Sequence, residues 1–223
     1  MMDESLMFVN DHSGTYVELV EDSITYVFRK YNINDTLIQK VNILIDYEIV
    51  VVCDDSSSMN DNWNEAKNII SIIIDLYTAV SKRGIDIHFL NRASFFSVTD
   101  SKQLDNTFQI NPIGSSLMIS TIKEVSELSN KLIIFITNGK GFNGNTTGTL
   151  NTLISASNSR FIIMLCSEHR INHRIHCPNL EIIPKYKEMA IGNDIGTSSL
   201  GDHVVTSICE NKMNYANCCC IIV

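Results

Sequence analysis

The stretch that decides the fold is YEIVVVC, residues 47–53, which leads directly into DDSSS at 54–58. A short, continuous run of β-branched residues is typical of a strand that is buried on both faces of a parallel sheet. Two later runs have the same character, KLIIFIT at 131–137 and RFIIMLC at 160–166. The sequence therefore predicts a largely parallel central sheet.

Amphipathic segments alternate with these strands. The clearest is 62–82, where Trp63, Ala66, Ile70, Ile73 and Tyr77 fall on one helical stripe before a stop at Gly84. This alternation predicts an α/β, Rossmann-like fold with helices on both faces of the sheet. Further strands are predicted at 85–90 and 179–183, helices at 116–129, 149–157 and 200–211, and loops at 91–113 and 139–148.

A helical lead-in is predicted before the first strand. Residues 15–45 carry apolar side chains at mixed helical spacing, and we interpret them as two helices separated by a turn at 32–35. Asn34 or Asp35 would cap the second helix. The predicted organisation is an N-terminal helical lead-in at 1–46, an α/β domain at 47–211 and a flexible tail at 212–223.

Composition excludes several classes of protein. The chain has 223 residues, 44% of them hydrophobic, which allows a sizeable core and argues against wholesale disorder. The net charge of −8 makes a nucleic-acid-binding surface unexpected. The first residues lack the pattern of a signal peptide, and seven unevenly spaced cysteines do not suggest a disulfide framework. We therefore expect a cytoplasmic protein in a reducing compartment.

Side chains with oxygen donors follow the predicted strand ends. Asp54, Ser56 and Ser58 come directly after the first buried strand, at a spacing that lets them converge on one side of a turn. Asn138 ends the KLIIFIT strand, and Ser116 lies where a later helix opens. Ligands of open parallel sheets bind beyond the carboxyl ends of the strands. Because oxygen ligands suit a hard cation, this pattern predicts a site for Mg²⁺, or Mn²⁺ in its place.

On these residues the chain resembles the von Willebrand factor A family, whose members carry a metal-ion-dependent adhesion site. The family pattern is Asp-x-Ser-x-Ser after the first strand, a Thr in a glycine-containing loop, and an Asp in a Thr-Asp-Gly turn. The resemblance is to intracellular fungal and protist members, covers about residues 24–210 and is most specific over 46–92. The matching residues here are, in the same order, Asp54, Ser56 and Ser58, then Ser116 (with Ser115 as the alternative), then Asn138.

The resemblance implies a binding function and no catalysis. In the family the protein leaves one coordination position of the cation open, and an acidic residue of a partner protein completes it. It thus implies a metal-dependent protein-binding module with an acidic protein ligand. Asn138 in place of Asp removes one formal charge, so we expect weaker cation binding. The alternative is a metal-free scaffold in which these polar side chains only join neighbouring loops.

Three other classes of site are weighed against this interpretation. Asp54 as a phosphorylated nucleophile would suit a phosphoryl-transfer enzyme or hydrolase, but such phosphatases need a second Asp where this chain has Ser56. A receiver domain would need a Lys after a late strand, and Lys140 is only loosely placed. The phosphate-binding pattern G-x-x-x-x-G-K-[ST] is absent from the sequence. The donors of a zinc site occur at Cys166, His169, His173, His176 and Cys177, but their spacing matches no common zinc finger, which favours a solvated loop.

The last residues suggest a lipidation signal. Cys220-Ile221-Ile222-Val223 fits the C-terminal box for prenylation, although Val is not a usual last residue. Cys218 and Cys219 would then be candidates for palmitoylation, the second signal that stable anchoring requires. The hypothesis is peripheral attachment to the cytosolic leaflet, and the alternative is an unmodified apolar tail.

Overall fold

The computed structural model describes residues 6–10, 16–20, 22–167, 179–183 and 199–209. The strands of this part are β1 (Leu6–Asn10), β2 (Tyr16–Val20), β3 (Glu48–Cys53), β4 (Ile85–Phe89), β5 (Phe95–Val98), β6 (Lys131–Thr137), β7 (Arg160–Leu165) and β8 (Leu180–Ile183). The helices are α1 (Ser23–Lys30), α2 (Ile38–Val41), α3 (Trp63–Ser81), α4 (Asp105–Phe108), α5 (Met118–Ser126), α6 (Gly144–Ala156) and α7 (Leu200–Cys209).

A six-stranded mixed sheet forms the centre of the fold, in the order β5-β4-β3-β6-β7-β8. All neighbouring strands run parallel except β5, which pairs antiparallel with β4 at one edge. The chain leaves β3 toward β4 on one side and later returns to add β6, β7 and β8 on the other. The α/β class and the mostly parallel sheet are therefore confirmed, and the topological switch point lies between β3 and β6.

The residues of β3 alternate between two cores. Val51 and Cys53 belong to the core that α1, α2, α3 and α7 cover, whereas Val50 and Val52 belong to the core under α5 and α6. The whole predicted stripe of α3 is buried in the first of these cores. Because β3 is covered on both faces, it forms a rigid base for the loop that follows it.

The N-terminal region differs from the prediction. Tyr16–Val20 is a strand paired antiparallel with Leu6–Asn10, so the helix expected from residue 15 begins only at Ser23. The three-residue step between Val17 and Val20 suits a helix, whereas in a strand it puts the two side chains on opposite faces. Hairpin pairing with the neighbouring segment Leu6–Asn10 decided the structure. The second predicted helix is a short α-helix, α2, between two 3₁₀ turns, and Asn34 caps the first turn by accepting a hydrogen bond from the Thr36 amide at 3.0 Å.

Three elements fall wholly or partly within predicted loops: β5 and the four-residue helix α4 in the loop predicted at 91–113, and the first turn of α6 in the loop predicted at 139–148. The short edge strand β5 was missed because its residues are largely uncovered, Phe96 being 67% exposed, and show no buried alternation. Helix α6 begins at Gly144, ahead of the predicted start at 149, because Asn143 and Thr146 form a reciprocal cap despite the glycine-rich composition.

Gly84 does not end α3 as expected. The helix ends at Ser81, and its C-cap residue Lys82 adopts a left-handed φ of 53°. Gly84 is instead required by the close approach of β5, since a Cβ there would lie 2.3 Å from the Ser97 carbonyl carbon.

In the part of the chain that the structure describes, no helix combines the length and the apolar character needed to cross a membrane.

Candidate functional site

The candidate site lies at the switch point between β3 and β6. Asp54 directly follows β3 and Asn138 directly follows β6, and the two strands pair with Cys53 opposite Ile136. The Asp54 amide continues this ladder by donating to the Ile136 carbonyl at 2.9 Å. The loops after the two strands are therefore held side by side.

The Asp54 carboxylate is buried, with 1% of the residue exposed, and both of its oxygens are engaged. Oδ1 accepts a hydrogen bond from the Ser56 amide at 3.0 Å, and Oδ2 accepts one from the Thr137 hydroxyl at 2.7 Å. Thr137 also accepts a hydrogen bond from the Gly139 amide at 3.2 Å. Thr137 was not predicted as a site residue, although its place at the end of the KLIIFIT strand, directly before Asn138, was the available signal.

Ser56 and Ser58 present their hydroxyls to one another. Their Oγ atoms are 3.1 Å apart. Two ligands at right angles around an octahedral Mg²⁺ ion, each about 2.1 Å from it, lie about 3 Å apart. The spacing of the two hydroxyls thus fits adjacent positions around such a cation.

Asn138 is fully buried and presents a donor to the site. Its amide nitrogen donates to the Ser58 carbonyl at 2.5 Å and contacts the Ser58 hydroxyl at 3.1 Å. Its side-chain oxygen accepts a hydrogen bond from the Lys140 amide at 3.0 Å. Because a backbone partner sets the orientation at each end, the predicted oxygen ligand is turned toward Lys140 and away from Ser58.

Ser115 and Ser116 are exposed and lie on a separate loop. That loop packs beside the turn after Asn138, because a Cβ on Gly141 would lie only 2.9 Å from the Ser116 hydroxyl. The structure thus joins Asp54, Ser56, Ser58 and Asn138 by direct or shared hydrogen bonds and places Ser116 next to the same turn.

Asp55 is fully buried, and its carboxylate contacts Asn91 and Arg92 instead of the partners of Asp54. Its Oδ1 accepts hydrogen bonds from the backbone and side-chain nitrogens of Asn91 at 2.8 and 3.1 Å, and its Oδ2 lies 3.2 Å from Arg92 Nε. Burial raises the pKa of the Asp55 carboxyl above its ordinary value, although the contacts with Asn91 and Arg92 act in the opposite direction. Asn91 and Arg92 were not predicted from the sequence to lie beside this loop.

The candidate ligands carry little negative charge. One carboxylate, two hydroxyls and no oxygen from Asn138 fit a weakly held oxygen-ligated cation. Within the described residues, no group of three or more His, Cys, Asp or Glu side chains is arranged to hold a metal ion. Of the zinc candidates, Cys166 is buried, while His169, His173, His176 and Cys177 lie outside the described residues, as do Cys218, Cys219 and Cys220.

No protein-family model matches this chain, and no curated protein matches it in sequence.

Proposed function

We propose that this protein is a binding module in which Asp54, Ser56 and Ser58 hold a divalent cation, Mg²⁺ or Mn²⁺, for an acidic residue of a partner protein. The observation that carries the proposal is the pair of hydroxyls 3.1 Å apart beside a buried carboxylate at the switch point of the sheet. When bound, the cation would supply positive charge on an otherwise acidic chain.

The surface beside the site favours a protein partner over a small anion. Ile110 and Ile113 are each 61% exposed, and Leu117 is 49% exposed. All three lie on the loop that carries Ser116, and this loop has no charged residue between 109 and 117. Exposed aliphatic side chains gathered in one place are typical of protein-interaction surfaces.

The environment of Asp54 disfavours the enzymatic alternative. A carboxylate that attacks phosphorus needs room for a phosphate ester in line with its oxygen, whereas a small cation needs only one of the lone pairs that remain on hydrogen-bonded oxygens. Asp54 is 1% exposed, and hydrogen bonds from Ser56 and Thr137 engage both oxygens. We therefore propose binding without catalysis.

The proposal is tested by calorimetric titration of the purified chain with Mg²⁺ and with Mn²⁺, accompanied by thermal unfolding. We expect saturable binding and a raised Tm, both lost in Asp54→Ala. Asp61→Ala is the matched control, because this exposed carboxylate lies in the same 3₁₀ turn as Ser58 but is not a candidate ligand. Absence of binding in the unsubstituted chain, or equal loss in both variants, would contradict the proposal.

One observation favours the second candidate function, a scaffold that needs no metal. The Asn138 amide already donates to the Ser58 carbonyl and hydroxyl, so the two loops are joined without a cation. For such a scaffold, neither cation would bind, and Asp54→Ala would lower the free energy of unfolding equally with and without Mg²⁺.

A further inference from the structure

We infer that Asp55 and Arg92 are positioning residues, which hold segment 107–114 against the loop of Asp54, Ser56 and Ser58 and so preform the binding surface. The inference rests on the proposed function, since it concerns the same surface. Neither residue contacts the candidate ligand position directly, and both act through the backbone that they fix.

Arg92 makes most of the contacts. Its guanidinium donates to the carbonyls of Thr107, Ile110 and Asn111 at 2.8, 3.2 and 2.6 Å. On its other side, Nε lies 3.2 Å from the buried Asp55 carboxylate. We call these contacts the Arg92 clamp.

Backbone hydrogen bonds complete the connection to the site. The Ile113 amide donates to the Asp55 carbonyl at 2.9 Å. One residue later, the Gly114 carbonyl accepts from the Ser57 amide at 3.1 Å and from the Ser57 hydroxyl at 3.2 Å. Asp55 and Ser57 alternate with the candidate ligands, so the same short loop faces the cation site on one side and segment 107–114 on the other.

The clamp has a consequence for binding. It holds Ile110 and Ile113 exposed on a fixed backbone next to the cation site. A surface that is already ordered loses less conformational entropy when a partner binds. A buried ion pair by itself contributes little to stability. Holding the binding surface in place offers a functional reason for the pair of Asp55 and Arg92.

The chain contains its own reporter for the clamp. Trp63 is its single tryptophan, and Arg92 lies over its ring at 5.2 Å. The indole nitrogen donates to the Phe108 carbonyl at 3.1 Å, inside the clamped segment. Trp63 fluorescence therefore responds to the segment as well as to the guanidinium.

The test is Arg92→Lys, which keeps the positive charge beside Asp55 but cannot donate to three carbonyls in a fixed fork. The matched control is Arg83→Lys. Arg83 donates to the Ile45 carbonyl and lies 5.9 Å from the Tyr77 ring, before the start of β4, whereas Arg92 follows the end of that strand. Both variants undergo the same chemical change, and only one disturbs the clamp.

Three measurements are made on both variants and on the unsubstituted chain. We expect Arg92→Lys to red-shift Trp63 emission and increase its quenching by acrylamide. We expect faster hydrogen exchange at the Ile113 and Ser57 amides while the amides of β6 keep their protection. We also expect Mn²⁺ affinity to fall by about tenfold, the effect of disturbing residues that orient ligands. Arg83→Lys should leave all three unchanged.

The inference would be overturned if hydrogen exchange at Ile113 and Ser57 and Trp63 fluorescence in Arg92→Lys match those of the unsubstituted chain. It would also be overturned if exchange in segment 107–114 is faster but Mn²⁺ affinity is unchanged. If the unsubstituted chain binds no Mn²⁺, the proposed function fails, while exchange at Ile113 and Ser57 still decides whether Arg92 holds the segment. If Arg92→Lys does not fold, the double variant Asp55→Asn with Arg92→Gln, which leaves no unpaired buried charge, replaces it.

Discussion

Asn138→Asp places a second carboxylate beside Asp54 and Ser58 and is the sharpest perturbation of the site. In the present structure the Asn138 amide nitrogen donates to the Ser58 carbonyl at 2.5 Å and to the Ser58 hydroxyl at 3.1 Å, in a fully buried position. A carboxylate cannot donate to either atom, and its charge would face the carbonyl oxygen. Without a cation the variant should therefore be less stable than the unsubstituted chain.

The magnitude follows from the burial. The two lost hydrogen bonds are worth about 0.5–1.5 kcal/mol each. An uncompensated buried charge brings the whole cost to about 3–5 kcal/mol. A cation present at about 100 times its Kd returns about 2.7 kcal/mol, which is roughly half or more of that loss. The Asn138→Asp chain should thus depend on Mg²⁺ for its stability far more than the unsubstituted chain does.

Urea unfolding with and without Mg²⁺ measures this difference. Asn143→Asp is the matched control, because Asn143 is an exposed helix cap whose side-chain oxygen accepts from two amides, a role that Asp fills equally well. The control should stay within about 0.5 kcal/mol of the unsubstituted chain. Our account of Asn138 is refuted if Asn138→Asp is equally neutral without Mg²⁺, or if Mg²⁺ stabilises it no more than it stabilises the control.

Three further predictions concern the site and the scaffold. Thr137→Val removes the hydroxyl that donates to the Asp54 carboxylate. We expect the free energy of unfolding in urea to fall by about 1–3 kcal/mol and Mn²⁺ binding measured by calorimetry to weaken. Thr137→Ser, which keeps the hydroxyl, should retain both the stability and the binding. Gly84→Ala places a Cβ 2.3 Å from a backbone carbon of β5 and should lower the free energy of unfolding in urea by about 1–3 kcal/mol. Gly148→Ala is its control: no atom lies within 4 Å of the new Cβ, so this variant should be neutral or stabilising. Burial, aided by a hydrogen bond to the Asp75 carboxylate of α3, raises the pKa of Tyr31 to about 12. The contribution of Tyr31 to stability should therefore be complete below pH 10 and be lost as the pH rises toward 12. Absorbance at 295 nm follows the ionisation of tyrosine while unfolding is measured at the same pH values.

Much of the fold could be predicted because its signals are local. The central residues of β3, β6 and β7 are apolar without interruption and buried, as coverage of both faces requires: Ile49–Cys53, Leu132–Ile136 and Phe161–Leu165. The segment Tyr16–Val20 was assigned to a helix because Val17 and Val20 are three positions apart, and its strand structure depends on hairpin pairing with Leu6–Asn10. The edge strand β5 was missed because an uncovered strand leaves no pattern of burial in its sequence.

The candidate site, too, could be predicted from the sequence only in part. The sequence by itself determined which oxygen donors follow β3 and β6, and it indicated that parallel strands would bring their carboxyl ends to one edge. Only the tertiary structure decided that β3 and β6 are neighbours at the switch point, that Asn138 turns its amide nitrogen toward Ser58, and that Arg92 holds segment 107–114 beside Asp55. The physical reason is that side-chain identity is a property of one position, whereas the direction of a hydrogen bond depends on partners that are distant in sequence and adjacent only after folding.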